Sequence, residues 1–125
     1  MIKNIEDLIV WQKARLLNNM VYSLTKSFPS SERNNLIDQL RRAVASICAN
    51  IVEGFGRYHL QESIHFYRTA RGSLLEVKSH LYIAVDQAYI SQEDLLKAFA
   101  LIDEIGKMLN GLINSTRNYR QNAKS

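Results

Sequence analysis

Proline occurs once in this chain of 125 residues, at Pro29, and glycine five times, at Gly54, Gly56, Gly72, Gly106 and Gly111. With so few residues that interrupt a helix, long helices are the expected elements. No alternation of apolar and polar residues is long enough to argue for a strand. The single cysteine, Cys48, rules out an internal disulfide framework and suits a reducing compartment. The opening MIKNIEDL has no basic segment followed by an apolar one, so no secretory leader is expected, and the cytoplasm is the expected location. Residues 43–52 carry no charge, yet that run stops well short of the roughly 20 apolar residues that span a bilayer, so no membrane partner is expected. Gly-rich phosphate loops, zinc-ligand spacings and a Ser/His/Asp set are missing too, and with them the expectation of an enzyme or a cofactor.

Hydrophobic residues make up 46% of the chain, enough for one globular domain with a real core. They fall into four helical patterns. A first helix is expected over about 7–28, with Val10, Ala14, Leu17, Val21, Leu24 and Phe28 facing inward in a four-three rhythm. Pro29 stops it, and Ser30 or Ser31 is expected to cap a second helix reaching about residue 55. The inward seam of that helix is Ile37, Leu40, Val44, Ile47, Ile51 and Gly54, and Gly54 and Gly56 mark its stop. A third is expected over about 60–88, on Ser63, Tyr67, Ala70, Leu74, Val77, Leu81, Ala84 and Ala88. Ser91, with Asp94 three residues on, marks the cap of a fourth, whose seam is Ala98, Ile102, Ile105, Leu109, Leu112 and Thr116. Short connections make successive helices antiparallel neighbours. The expected fold class is all-α, an antiparallel up-down-up-down four-helix bundle over residues 1–116. A basic tail at 117–125 is expected to fray.

The second helix leaves almost no solvent face, which calls for cover on two sides. Beside the seam lies a second, small stripe of Ala45, Ala49, Val52 and Gly56. Gln39, Arg42, Ser46, Asn50, Glu53 and Arg57 form a narrow polar stripe, within about a quarter turn at ~100° per residue. Such a stripe is either an internal network that sets register through paired groups or the face of a subunit contact or ligand groove. On the third helix, His65, Arg68, Gly72, Glu76 and Ser79 turn away from the seam. Glycine in an exposed helix interior costs about 1 kcal/mol relative to alanine, a cost that close approach of another chain offsets. The candidates for an oligomer interface or polar network are therefore Gln39, Arg42, Ala45, Ala49, Asn50, Glu53, Arg57, Gly72, Ser73 and Glu76.

Glu62 and His65 have the spacing of a di-iron bundle ligand pair, but such a site needs a second pair and inward carboxylates, so no metal is expected. Cys48, among apolar neighbours, is expected to be an inert buried thiol. Net charge is +4 and the isoelectric point near 9.3, which permits nucleic-acid binding without demanding it. Arg41, Arg68 and Arg71 lie off the seams, and Arg117, Arg120 and Lys124 lie in the acid-free stretch after Glu104. These six are the candidates for phosphate contacts.

Four segments, DLIVWQKA, FPSSE, QLRRAVASICANIVEGFGR and ARGSLLE, together resemble the 23S rRNA-intervening sequence protein family, whose members are usually called four helix bundle proteins. The likeness covers nearly the whole chain in order. The segment YHLQESIHFYR (58–68) departs from it, being more polar and richer in histidine. The resemblance implies a small bacterial all-helical protein that forms a ring-like homopentamer. It also implies kinship with a distantly similar bundle, the accessory protein of diversity-generating retroelements, a basic pentamer that binds a reverse transcriptase and nucleic acid. It implies no catalytic residues. The combined expectation is a non-enzymatic bundle that assembles with itself, as a pentamer on the family's pattern, and binds RNA or DNA through a basic surface. The alternative is a protein-interaction scaffold or adaptor without nucleic-acid affinity.

Overall fold

The computed structural model describes residues 2–124, with side chains through Tyr119. Four helices follow one another: α1 (Ile9–Thr25), α2 (Leu36–Phe55), α3 (Leu60–Asp86) and α4 (Gln92–Lys124). Short 3-10 turns at Ile5–Asp7 and Ser30–Glu32 precede α1 and α2. Each helix packs on its sequence neighbours, and α1 also packs on α4, so the bundle closes on itself. Cross-contacts give the directions. Ser46 meets Ser73 and Gly54 meets Tyr67 across α2–α3, while Arg71 meets Asn110 and Tyr82 meets Phe99 across α3–α4. On both seams the residue number rises along one helix as it falls along the other, so the pairs are antiparallel. The core they enclose includes the fully buried Leu17, Leu40, Ile47, Ile51, Leu81, Ile105 and Leu109.

Several expected seam positions shift by one residue. Thr25 is buried where Leu24 was expected to point inward, and Ile113 where Leu112 was, the two leucines being half-buried. Leu36 likewise displaces Ile37. A strict seven-residue rhythm drifts ~20° per heptad against a straight helix, so the inward position slides to the following residue toward a C-terminal end and to the preceding one toward an N-terminal end. Burying Thr25 is tolerable because its hydroxyl donates to Val21 O at 2.8 Å and accepts from Arg41 Nε at 3.0 Å.

The helix ends also differ from expectation. α1 stops at Thr25 and not at Phe28, its chain tightening through Ser27 N–H to Leu24 O and Phe28 N–H to Thr25 O. Neither Ser30 nor Ser31 caps α2. Those residues form their own short turn, and Asn35 precedes the first residue of α2. That turn serves the bundle end instead: the Tyr89 hydroxyl donates to Glu32 Oε2 at 2.9 Å, and the Phe28 and Tyr89 rings lie 5.2 Å apart. This bond to a carboxylate, with burial and the Glu32 charge adding to it, raises the pKa of the Tyr89 phenol.

Ala88 is exposed and does not extend the α3 seam; it sits at φ 62°, in the left-handed region. Tyr89 N–H donates to Ala84 O and Ala88 N–H to Val85 O, the paired closure of a Schellman motif with alanine where glycine is usual. Ser91 does cap α4, its hydroxyl accepting from Asp94 N–H at 3.0 Å. α4 then runs on through 117–124, the segment set apart on sequence as a tail.

Candidate interaction surfaces

Within the uncharged run of α2, alternate turns divide cleanly. Val44, Ile47 and Ile51 are buried, whereas Ala45, Ala49, Val52 and Gly56 are exposed, Val52 at 40%. The small apolar stripe is therefore uncovered by the chain itself. α1 adds Trp11, Asn18 and Tyr22, which with Ala45, Cys48, Ala49, Val52 and Glu53 line a shallow groove of about 540 Å³. The α1 contribution was not read from sequence, although Trp11, Asn18 and Tyr22 recur at seven- and four-residue steps that mark one helix face. Burial raises the Cys48 thiol pKa, with the Arg15 charge opposing, so the thiol stays protonated and inert.

The polar stripe of α2 is mostly paired along its own helix. Gln39 donates to Asn35, Arg42 to Asp38 at 2.9 Å, and Arg57 to Glu53. Asn50 Nδ2 donates to Ser46 O at 2.8 Å and Ser46 Oγ at 3.0 Å, and Ser46 shares a hydrogen bond with Ser73 at 3.0 Å. That chain of Asn50, Ser46 and Ser73 ties α2 to α3. Glu76 lies 3.5 Å from His80 Nε2, while His80 Nδ1 is buried with no partner. Gly72 is exposed, and an added Cβ there would meet nothing within 4 Å. Packing within the chain does not require glycine at that position.

The candidate cations separate into distinct places. Arg41 is half-buried at the α1–α2 seam, its guanidinium on Thr25 and 4.5 Å from the Tyr22 ring centre. Arg71 reaches across α3–α4 to Asn110 Oδ1 at 2.7 Å. Arg68 lies one turn before it and Arg117 two turns beyond Asn110, on the same side of the bundle. Lys78 and Lys107, which were not singled out on sequence, line the same α3–α4 groove as Arg71, with Asp103 as its one carboxylate. Four cations outside it pair with carboxylates: Lys13 with Glu104, Arg42 with Asp38, Arg57 with Glu53 and Lys97 with Glu93. The side chains of Arg120 and Lys124 lie outside the described residues. Glu62 and His65 are exposed, and among the described residues no group of three or more His, Cys, Asp or Glu could hold a metal ion. Nor, among those residues, is any helix long and apolar enough to cross a membrane.

Residues 6–111 match the 23S rRNA-intervening sequence protein family. The chain belongs to that family. Its fold is similar to the crystal structure of a protein of unknown function from the S23 ribosomal protein family of Bacteroides thetaiotaomicron. That comparison has a TM-score of 0.79 and 22% identity, and covers 88% of this chain and 99% of the other. At that identity the likeness bears on the fold alone. No functionally curated protein matches.

Proposed function

We propose that this protein is a non-enzymatic, cytoplasmic bundle that assembles with copies of itself into a ring, a pentamer on the family's pattern, and presents a basic face to RNA. The observation that carries the assembly half is the exposed stripe Ala45, Ala49, Val52 and Gly56, continuous with Trp11 and Tyr22. A contiguous apolar surface of this kind is what an interface core uses. Outward Gly72, which the chain's own packing leaves open, supports a second contact on α3. A ring needs two different patches on each subunit, because head-to-tail contacts close only when one patch meets another.

The nucleic-acid half rests on the α3–α4 face, where Arg71, Lys78 and Lys107 line one groove with Asp103, and Arg68 and Arg117 lie further along the same two helices. Membership in the 23S rRNA-intervening sequence protein family, and a fold shared with the S23 ribosomal protein family, favour RNA over other polyanions. One subunit at +4 binds weakly, but a ring repeats the same cations and turns weak contacts into avidity. The test is sedimentation of the protein alone and with an rRNA fragment. A multiple of 14.4 kDa that gains RNA at low salt supports both halves. An oligomer that ignores RNA leaves the scaffold or adaptor, to which the ion pairs of Lys13, Arg42, Arg57 and Lys97 point. A monomer overturns the assembly.

A further inference from the structure

The turn from α2 to α3 holds a feature that neither assembly nor a phosphate-binding face uses. It opens into a cleft of about 870 Å³, lined among others by Arg57, Tyr58, Gln61, Glu62, His65 and Phe66. One cation–aromatic pair and one aromatic pair line it. The Arg57 guanidinium lies 4.7 Å from the Phe66 ring centre, forming a flat cation–aromatic wall. Tyr58 stands with 92% of its surface exposed, its ring at 87° to that of His59 and 5.4 Å away. A tyrosine left this open contributes nothing to the core, yet it presents a full ring face at the mouth of a cleft.

The charge of the cleft decides what it can hold. Arg57 is already paired with Glu53, and Glu62 adds a second carboxylate, so the cleft is a poor phosphate site. A flat, neutral, aromatic ligand fits better. Gln61, Glu62 and His65 supply donors and acceptors around the rings for its polar edge. We propose that this cleft is a stacking site for an unpaired nucleobase of single-stranded RNA. Tyr58 supplies the stacking face, and the Arg57–Phe66 pair supplies the opposite wall. The site rests on the RNA reading above but acts by different physics. The α3–α4 cations attract any phosphate chain, whereas the cleft admits only bases not paired in a duplex. Sequence gives a signal for it: Tyr58, His59, His65 and Phe66 fall within nine residues at the start of α3.

The experiment is a fluorescence-anisotropy titration of the full chain against a short labelled single-stranded oligoribonucleotide and the same sequence as a duplex, each over a series of salt concentrations. Tyr58→Ala should weaken single-strand binding by roughly 5- to 150-fold, the range set by loss of one base–aromatic stack. Duplex binding and the salt slope should stay unchanged, because no phosphate contact is lost. Tyr58→Phe should restore the affinity, since the ring and not the hydroxyl stacks. With Tyr58 so exposed, helicity and association mass should be the same in all three proteins. Equal single-strand affinity in the unsubstituted chain and Tyr58→Ala overturns the proposal, as does an equal loss on the duplex. Duplex binding without a Tyr58 effect sinks the cleft and leaves the basic face. Tyr58-dependent single-strand binding without duplex affinity sinks the basic face and leaves the cleft.

Discussion

Three residues carry the sharpest stability expectations. Ala88 holds a left-handed backbone that glycine adopts freely, where a Cβ costs ~1–2 kcal/mol. Ala88→Gly should therefore raise the stability measured by denaturant unfolding by about 1 kcal/mol. Gly54 is the opposite case. A Cβ built there would lie 2.5 Å from Tyr67 Cε1 and 3.1 Å from Ser63 O, so α2 and α3 can approach only with glycine. Gly54→Ala should lower stability by ~1–3 kcal/mol, the usual range for overpacking, as Tyr67 is pushed aside. Tyr67 itself is buried, and burial raises its pKa from 10.0 to about 12. A pKa raised on folding means the neutral phenol stabilises the fold fully below pH 10 and less as pH rises toward 12. Ultraviolet titration should find this tyrosine ionising above the usual tyrosine value of 10.0, and stability should fall across that same window.

Among the elements, α2 is the one whose two sides make different demands. Its inward side builds the core, its α3 side holds the Asn50–Ser46–Ser73 chain, and its outward side is small, apolar and uncovered. Ala49→Glu would place a carboxylate in the centre of that outward side without disturbing any buried contact. Light scattering should then show a smaller association state than that of the unsubstituted chain, while circular dichroism stays helical. Unchanged mass would show that the α2 face is not the contact. Gly72→Leu asks the same of α3: there is room within the chain for the side chain, so only a neighbouring copy would be displaced. The polar stripe is a weaker guide to contacts than its spacing suggests. Arg42 and Arg57 are held by Asp38 and Glu53 one turn away on the same helix, as a solvated face would be.

For the whole molecule, the distribution of charge matters more than the net value. Phosphate-driven binding should weaken linearly with the logarithm of salt, by roughly 0.7 to 0.9 per contacted phosphate. Arg71→Glu with Arg117→Glu should lower both affinity and that slope for duplex and single strand alike, whereas charge reversal at Arg41, committed to Thr25 and Tyr22, should act through stability. Equal slopes before and after reversal at Arg71 and Arg117 would remove the α3–α4 face as the binding surface. The helical class, the number of helices and most inward residues were legible in the chain, because a period near 3.6 and a scarcity of helix breakers act locally. So was the absence of charge over 43–52, and the family resemblance carried by the motifs around it. The one-residue slides to Thr25 and Ile113 were not, since they depend on how straight helices drift past one another over their full length. Nor was the sorting of the arginines, because whether a cation is bound or open depends on what a second helix sets opposite it. The same sequence pattern thus fixes which side of each helix is apolar, but only packing decides which apolar and charged sides remain uncovered once the bundle has closed.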